Sequence, residues 1–293
     1  MTPRFLTVPE GFAFRTVQRE QDAGRAWISR LPGLVGSVLR EWDLTLVGPP
    51  RTGTVGLVWE VRRRDGTPGM LKVSWQDAET RHEAAALRRW DGSGSVRLIE
   101  SCDDAGALLL ERLEAPTSLL SLEMDQAVAV AARLMSLLHV PQWSGFDDAL
   151  AREARTAPPS AAYRDRIDEL RPHVERAFRS APHVLLHGDL HYENVLWSGS
   201  GWRAIDPKPV HGPREWDLVP LLRNRFGEFP QGPRRGAGIR SRLDALIAAT
   251  GAEPQRAYLF ARYRALRDAD YAHRVDDGGF EDVADAIAEA TSR

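Results

Sequence analysis

Chemistry is concentrated in His187-Gly-Asp189-Leu-His191-Tyr-Glu-Asn194-Val-Leu-Trp197, followed by Ala204-Ile-Asp206-Pro-Lys208. Moving a phosphoryl group needs a carboxylate beside the attacking hydroxyl, and oxygen ligands that hold Mg²⁺ on nucleotide phosphates. Asp189 precedes Asn194 by five residues in a loop opened by His and Gly, the spacing at which Asp acts as base and Asn as metal ligand. Asp206, behind an apolar run, adds a second oxygen ligand. Zinc is the competing chemistry, because His187 and His191 lie four apart. Gly188 and the hairpin pattern oppose the helix that would put both imidazoles on one face, and no cysteine lies nearby.

The chain must reverse direction to bring these groups together. Val184-Leu-Leu186 reads as a short buried strand, Gly188 permits a tight backbone, and Val195-Leu-Trp197 reads as the exit strand. Ser198-Gly-Ser-Gly201 is a turn signal, so Trp202-Arg-Ala-Ile205 should return antiparallel and deliver Asp206 close to Asn194.

Composition narrows the class. The 293 residues suit one two-lobed enzyme or two modest domains, and 43% hydrophobic content can build a core. A formal net charge of −2 without a basic block gives no footprint for nucleic acid. Cys102 is the only cysteine, which excludes an intramolecular disulfide and suits a reducing compartment. With no apolar signal core and no membrane-length apolar run, a cytoplasmic location is expected. Of 39 basic residues only Lys72 and Lys208 are lysine, which marks both as places where a compact ammonium is wanted.

The stretch HGDLHYENVL, then AIDPK, Glu215-Trp-Asp217 and Leu222-Arg-Asn-Arg225, resembles the aminoglycoside/hydroxyurea phosphotransferase family. Val8-Pro-Glu-Gly11, Gly24-Arg-Ala-Trp-Ile28, Trp90-Asp-Gly92 and Val96-Arg-Leu98 extend the resemblance over nearly the whole chain, most of all toward the streptomycin 6-phosphotransferases. The resemblance implies an α+β, protein-kinase-like fold: a small five-stranded antiparallel sheet lobe with one helix, and a larger helical lobe. It also implies ATP and Mg²⁺ as cofactors. Asp189 would be the catalytic base, and Asn194 and Asp206 the metal ligands. Lys72 would hold phosphates, oriented by Glu83 or, one turn earlier, Glu79. Glu111 and Leu113 would mark the crossing whose backbone meets adenine, while His187 and Asp217 would brace the catalytic loop. Lys208 matches the family's IDPK lysine without an assigned chemical step.

The remaining pattern fits that frame. Apolar spacing over 20–40 predicts an N-terminal helix broken or kinked at Pro32-Gly33, packing on the first lobe. Strands are expected at Leu44–Val47, Leu57–Val61, Met70–Val73, Val96–Ile99 and Ala107–Glu111, with a helix from Asp77 to Trp90. Gly48 to Gly56 stands where a loop would cover a nucleotide. Helices are then expected over 125–139, 160–181 (broken near Pro172), 216–225, 240–250, 256–272 and 280–290, with a mobile loop at 227–238. His139 reads as a helix-end residue. The division expected is residues 1–112, a nucleotide-binding lobe with its helical appendage, and 113–293, the lobe with catalytic loop and acceptor site, the active site lying in the cleft between.

The expected reaction is transfer of the ATP γ-phosphate to a hydroxyl of an aminoglycoside, with streptomycin leading and antibiotic inactivation as the outcome. A polycationic acceptor calls for carboxylates from the helical lobe, and Asp268, Asp270, Asp276 and Asp277 are candidates, beside Tyr271. The alternatives are a kinase of another hydroxylated metabolite or a hydroxyurea-type antibiotic, and a nucleotide-binding regulator that does not catalyse. The partner expected is a small cationic molecule, with no nucleic acid and no membrane, on a monomer or weak dimer.

Overall fold

Period-two runs of β-branched and aromatic residues build the first sheet, and the computed structural model, which describes residues 5–141 and 145–292, sets it against a long helix. The order is α1 (Glu10–Glu41), β1 (Leu44–Leu46), β2 (Arg51–Thr52), β3 (Gly56–Arg63), β4 (Pro68–Ser74), α2 (Glu83–Trp90), β5 (Leu98–Cys102) and β6 (Ala107–Glu111). The strands pair antiparallel in the order β1-β3-β4-β6-β5, and the two-residue β2, which the sequence pattern did not reveal, adds to β3.

Alternation decides which face each side chain takes. Leu57, Trp59, Val61, Leu71, Val73 and Leu109 share one core with Phe12, Trp27, Leu31, Val35 and Val38 of α1. Lys72, between Leu71 and Val73, is thereby turned to the opposite face, the side where α2 presents Glu83. Gly56 lets β3 and β4 meet at their ends, since a Cβ there would stand 2.5 Å from Ser74 Oγ and 2.9 Å from the Val73 carbonyl oxygen.

Two helix expectations are corrected here. Helix α1 runs through Pro32, and its break comes at Gln21, with φ 54° and ψ −130°. Leu31 and Val35, both fully buried, anchor the helix on either side of Pro32, and their packing outweighs the single backbone bond that proline forfeits. Beyond the break the chain passes so near itself that a Cβ on Gly24 would lie 2.7 Å from the Thr16 carbonyl oxygen. Helix α2 starts at Glu83 instead of Asp77. Asp77 Oδ1 accepts from the backbone N–H groups of Glu79 (2.8 Å) and Thr80 (3.0 Å), a local cap that holds 77–82 in turns.

The chain divides into two compact units, Met1–Gly92 with Val96–Glu114, and Ser93–Ser95 with Ala115–Arg293. After β7 (Glu114–Ser118) the order is α3 (Met124–Leu138), α4 (Ala149–Ala154), α5 (Arg164–Ser180), β8 (His183–Leu186), β9 (Val195–Trp197), β10 (Trp202–Ala204), β11 (Val210–Pro213), α6 (Val219–Arg223), α7 (Arg235–Thr250), α8 (Pro254–Arg274) and α9 (Gly278–Ala290). Two small sheets, β10-β9-β7 and β11-β8, frame the candidate site. The expected hairpin is present: Trp202 opposes Trp197, Ala204 opposes Val195, and Ser198 N–H closes the turn on the Gly201 carbonyl at 2.9 Å.

Helix α5 runs unbroken through Pro172, held by the buried stripe Ile167, Leu170, Val174 and Phe178. Residues 214–218 form a 3-10 turn ahead of the short α6, so the helix expected over 216–225 is divided. The segment 227–238 is no open loop: it carries two short 3-10 turns and the start of α7, and a Cβ on Gly238 would meet Pro230 Cδ at 2.8 Å. Among the described residues no helix is long and apolar enough to cross a membrane.

The shared core makes α1 part of the first unit's stability. Leu31→Ala is expected to cost about 2–5 kcal/mol, read from the midpoint of urea unfolding. A loss below about 0.5 kcal/mol would mean that α1 is a loosely attached appendage.

Candidate active site

The candidate site of the second unit rests on the backbone between β8 and β11. These strands pair with Val210 opposite Leu186, and just beyond them Lys208 N–H donates to the His187 carbonyl at 2.9 Å. Here Gly188 is required: its φ is +81°, and a Cβ would fall 2.0 Å from the Lys208 carbonyl oxygen. That same oxygen accepts from Arg152 Nη1 of α4 at 3.0 Å.

A second constraint comes from Asp217, which has no solvent exposure. Its two oxygens accept from the backbone N–H of His187 and of Gly188, each at 2.8 Å, and His139 Nε2 lies 3.0 Å from Oδ2. Burial alone would raise this carboxyl's pKa, but the His139 hydrogen bond and charge, with the Gly188 N–H, outweigh it and hold it below the ordinary carboxylate value. His139 does close α3, as its position suggested, and it also touches the group that holds the loop. No local sequence signal links residues 139 and 217.

The His187 side chain completes the frame. Its Nε2 lies 3.1 Å from the Ile205 carbonyl, which can only accept, and its Nδ1 receives the Asp189 N–H at 3.3 Å. Those partners require the neutral Nε2–H tautomer. Burial, against the opposing charges of Asp217, Asp189 and Asp206, pushes its pKa below the ordinary histidine value of 6.5.

Asp189 emerges from this frame partly buried. Lys208 Nζ lies 3.2 Å from its Oδ2 and Arg223 Nη2 3.7 Å from its Oδ1. Burial favours its neutral acid, but the charges of Lys208, then His191 and Arg223, prevail and keep its pKa below normal. Asn194 is turned by donating Nδ2 to the Asp189 carbonyl at 3.0 Å, which leaves Oδ1 as the acceptor end of the amide. The Asn194 carbonyl accepts from Ile205 N–H at 2.8 Å, so Asp206 follows immediately; it is solvent-exposed in the left-handed region, φ 56°, which Asp tolerates. That backbone bond places residue 206 next to residue 194 along the two strands.

The first unit carries a separate charged pair. Lys72 Nζ donates to both oxygens of Glu83 at 2.7 Å, and both side chains are buried. Glu79 lies before α2, in the turn capped by Asp77. Glu111 Oε1 accepts from Arg97 N–H at 2.8 Å, and Leu113 is buried.

The expected acceptor carboxylates separate from one another. Asp268 is paired with Arg223 at 2.8 Å, which ties it to Asp189 through one guanidinium. Asp270 is a correction: it has no exposure, accepts from Ser160 N–H at 2.8 Å and pairs with Arg274 at 3.1 Å, so it joins segments of the protein and offers no face to a ligand. Asp277 caps α9 through the Phe280 N–H at 3.0 Å, while Asp276 and Tyr271 are exposed. Sequence reasoning missed Arg223. It falls in the quoted Leu222–Arg225 stretch, but in a chain so rich in arginine its type carries little information.

Comparison with known proteins gives the family and the fold. A model of the family described as aminoglycoside/hydroxyurea antibiotic resistance kinase matches residues 41–277. The chain is 31% identical over 301 residues to a streptomycin 6-kinase of Streptomyces glaucescens, covering 99% of this chain and 98% of the relative. It is 35% identical to a hydroxyurea phosphotransferase of Kitasatospora aureofaciens, covering 87% and 76%. Among solved structures, an ethanolamine kinase of Plasmodium vivax superposes with a TM-score of 0.60 at 14% identity, covering 98% of this chain and 96% of that one, a likeness of fold.

Two outcomes follow from the loop's support. Asp217→Asn replaces an acceptor oxygen with a donor and leaves a buried backbone N–H without a partner, so it should cost about 2–4 kcal/mol in urea unfolding near neutral pH. Stability should also fall on acidification. Unfolded His187 takes up a proton near 6.5, whereas the folded protein resists it until lower pH, so its contribution is complete above 6.5 and is lost as pH falls toward the folded value. Unfolding measured from pH 7.5 to 5.5 should show this slope, at most about 1.4 kcal/mol per pH unit per histidine, reduced in His187→Gln. An unchanged slope in that variant would remove His187 as its source.

Proposed function

We propose that this chain, which belongs to the aminoglycoside/hydroxyurea antibiotic resistance kinase family and is an ATP-dependent phosphotransferase, phosphorylates a hydroxyl of a streptomycin-type aminoglycoside positioned by Asp189. The observation that carries this reading is Asp189 itself: an ionised carboxylate at the end of a hydrogen-bonded loop, 3.2 Å from Lys208.

Asp189 accepts the acceptor's O–H hydrogen bond and aims the oxygen for in-line attack. Its low pKa makes it a weak base, which suits a loose transition state in which the hydroxyl proton leaves late; direction matters more than basicity. Lys208 and Arg223 keep the carboxylate charged and fix its rotamer. Asn194 Oδ1 and the Asp206 carboxylate would hold Mg²⁺, which when bound neutralises phosphate charge as the phosphoryl group moves. Lys72, oriented by its double hydrogen bond to Glu83, would hold the nucleotide phosphates, as the corresponding lysine–glutamate pair does in kinases.

The acceptor rests on the near full-length similarity to streptomycin 6-kinases of two Streptomyces species. A hydroxyurea-type acceptor is the second reading. One observation favours it: Asp268 and Asp270, the carboxylates expected to receive a polycation, are paired with Arg223 and Arg274.

Phosphate transfer from Mg·ATP to streptomycin and to hydroxyurea, followed by product mass, tests both. We expect streptomycin to gain one phosphate, with kcat falling by about 10²–10⁴ in Asp189→Ala. Equal turnover in that variant would sink the role of Asp189, and transfer to hydroxyurea alone would replace the acceptor.

A further inference from the structure

We propose that Asp148, His183 and His211 form a structural site for a zinc-like divalent cation, apart from the oxygen ligands Asn194 and Asp206. Among the described residues these three bring one ligand atom each within 4.8 Å of one another. The imidazoles are diagonal neighbours on one face of the β8–β11 ribbon, His183 opposite Pro213 and His211 opposite Leu185. Their Nδ1 atoms stand 3.3 Å apart. Two nitrogens bound to one zinc at about 2.05 Å in tetrahedral geometry lie about 3.3–3.4 Å apart, so the rings already have the spacing of ligands.

The surroundings fix the required tautomer. His183 Nε2 lies 2.9 Å from the Phe178 carbonyl, which can only accept, so Nε2 carries the hydrogen and Nδ1 presents its lone pair to His211. A backbone carbonyl behind a ligand imidazole is the usual outer support of a metal-bound histidine. Phe178 also packs edge-on against the His183 ring, with centroids 4.8 Å apart, and limits its rotation. Asp148 caps α4 with Oδ1, which accepts from Ala151 N–H at 2.8 Å, and its carboxylate brings one oxygen within 4.8 Å of the imidazole nitrogens as the third ligand. Its backbone bridges that of His211. All three side chains are half-buried, which leaves a fourth position for water.

Two imidazoles and one carboxylate suit a borderline cation and not Mg²⁺, which prefers oxygen throughout. Such an ion would join the first residue of β8, the middle of β11 and the start of α4. The opposite end of that ribbon carries the contact between Gly188 and Lys208. A cation here would therefore stabilise the register that sets Asp189 against Lys208.

The test adds ZnCl₂ to the chelator-treated full chain and follows bound metal, melting temperature and, with Co²⁺ as spectroscopic probe, visible absorption. Expected are about one equivalent of tight Zn²⁺ that Mg²⁺ does not displace, a rise in Tm on the order of 5 °C, and the intense visible bands of four-coordinate Co²⁺. His183→Gln with His211→Gln should abolish all three. Asp148→Asn keeps a good helix cap, and so guards against a folding artefact, yet should weaken binding at least about tenfold. Absence of saturable Zn²⁺ binding, or binding that persists in the double histidine variant, would overturn the proposal, the second result by moving the metal elsewhere in the chain.

Discussion

Asp217 is the constraint on which the candidate site depends. A carboxylate without solvent contact must have its lone pairs occupied and its charge balanced, and this one takes two consecutive backbone N–H groups and the His139 imidazole. Those N–H groups belong to His187 and Gly188, so satisfying the buried charge fixes the loop's backbone. His187 then carries the same order to the Asp189 N–H and the Ile205 carbonyl. The site's side chains can be few because main-chain bonds do most of the positioning.

The electrostatics follow from that geometry. Around Asp189 the charges of Lys208, His191 and Arg223 overcome a desolvation penalty that would otherwise protonate it, whereas His187, among acidic neighbours, stays neutral because its burial is complete and both ring nitrogens are committed to backbone. The loop therefore sets an ionised carboxylate beside an uncharged imidazole over a separation of two residues. Arg223 links Asp189 to Asp268 and makes a chain of alternating charge out of residues far apart in sequence.

What could be read from the sequence was whatever depends on local order. The turn at Ser198–Gly201, the return strand, the Asp189–Asn194 spacing and the tight backbone at Gly188 all follow from neighbours within a few residues. For the partner of Lys72 the resemblance offered Glu83 with Glu79 as the alternative, and the structure joins Lys72 to Glu83 at 2.7 Å. Missed were the links set by tertiary packing: His139 to Asp217, Arg223 to Asp189 and Asp268, and the burial of Asp270. An exposed acidic cluster and a buried acidic ion pair look the same in sequence, and only the packing of α8 separates Asp270 from Asp276. Proline misled twice, at Pro32 and Pro172, because apolar stripes on either side held both helices through the lost bond.

The scarcity of lysine has a practical side. Both side-chain amines of the chain are engaged with carboxylates, Lys72 with Glu83 and Lys208 with Asp189. An amine-directed acylating reagent therefore finds no lysine other than these two, one in each unit. Labelling yield at these two lysines, read apart from the α-amino group, becomes a reporter of whether those ion pairs are closed or open, without the lysine background that lysine-rich enzymes impose.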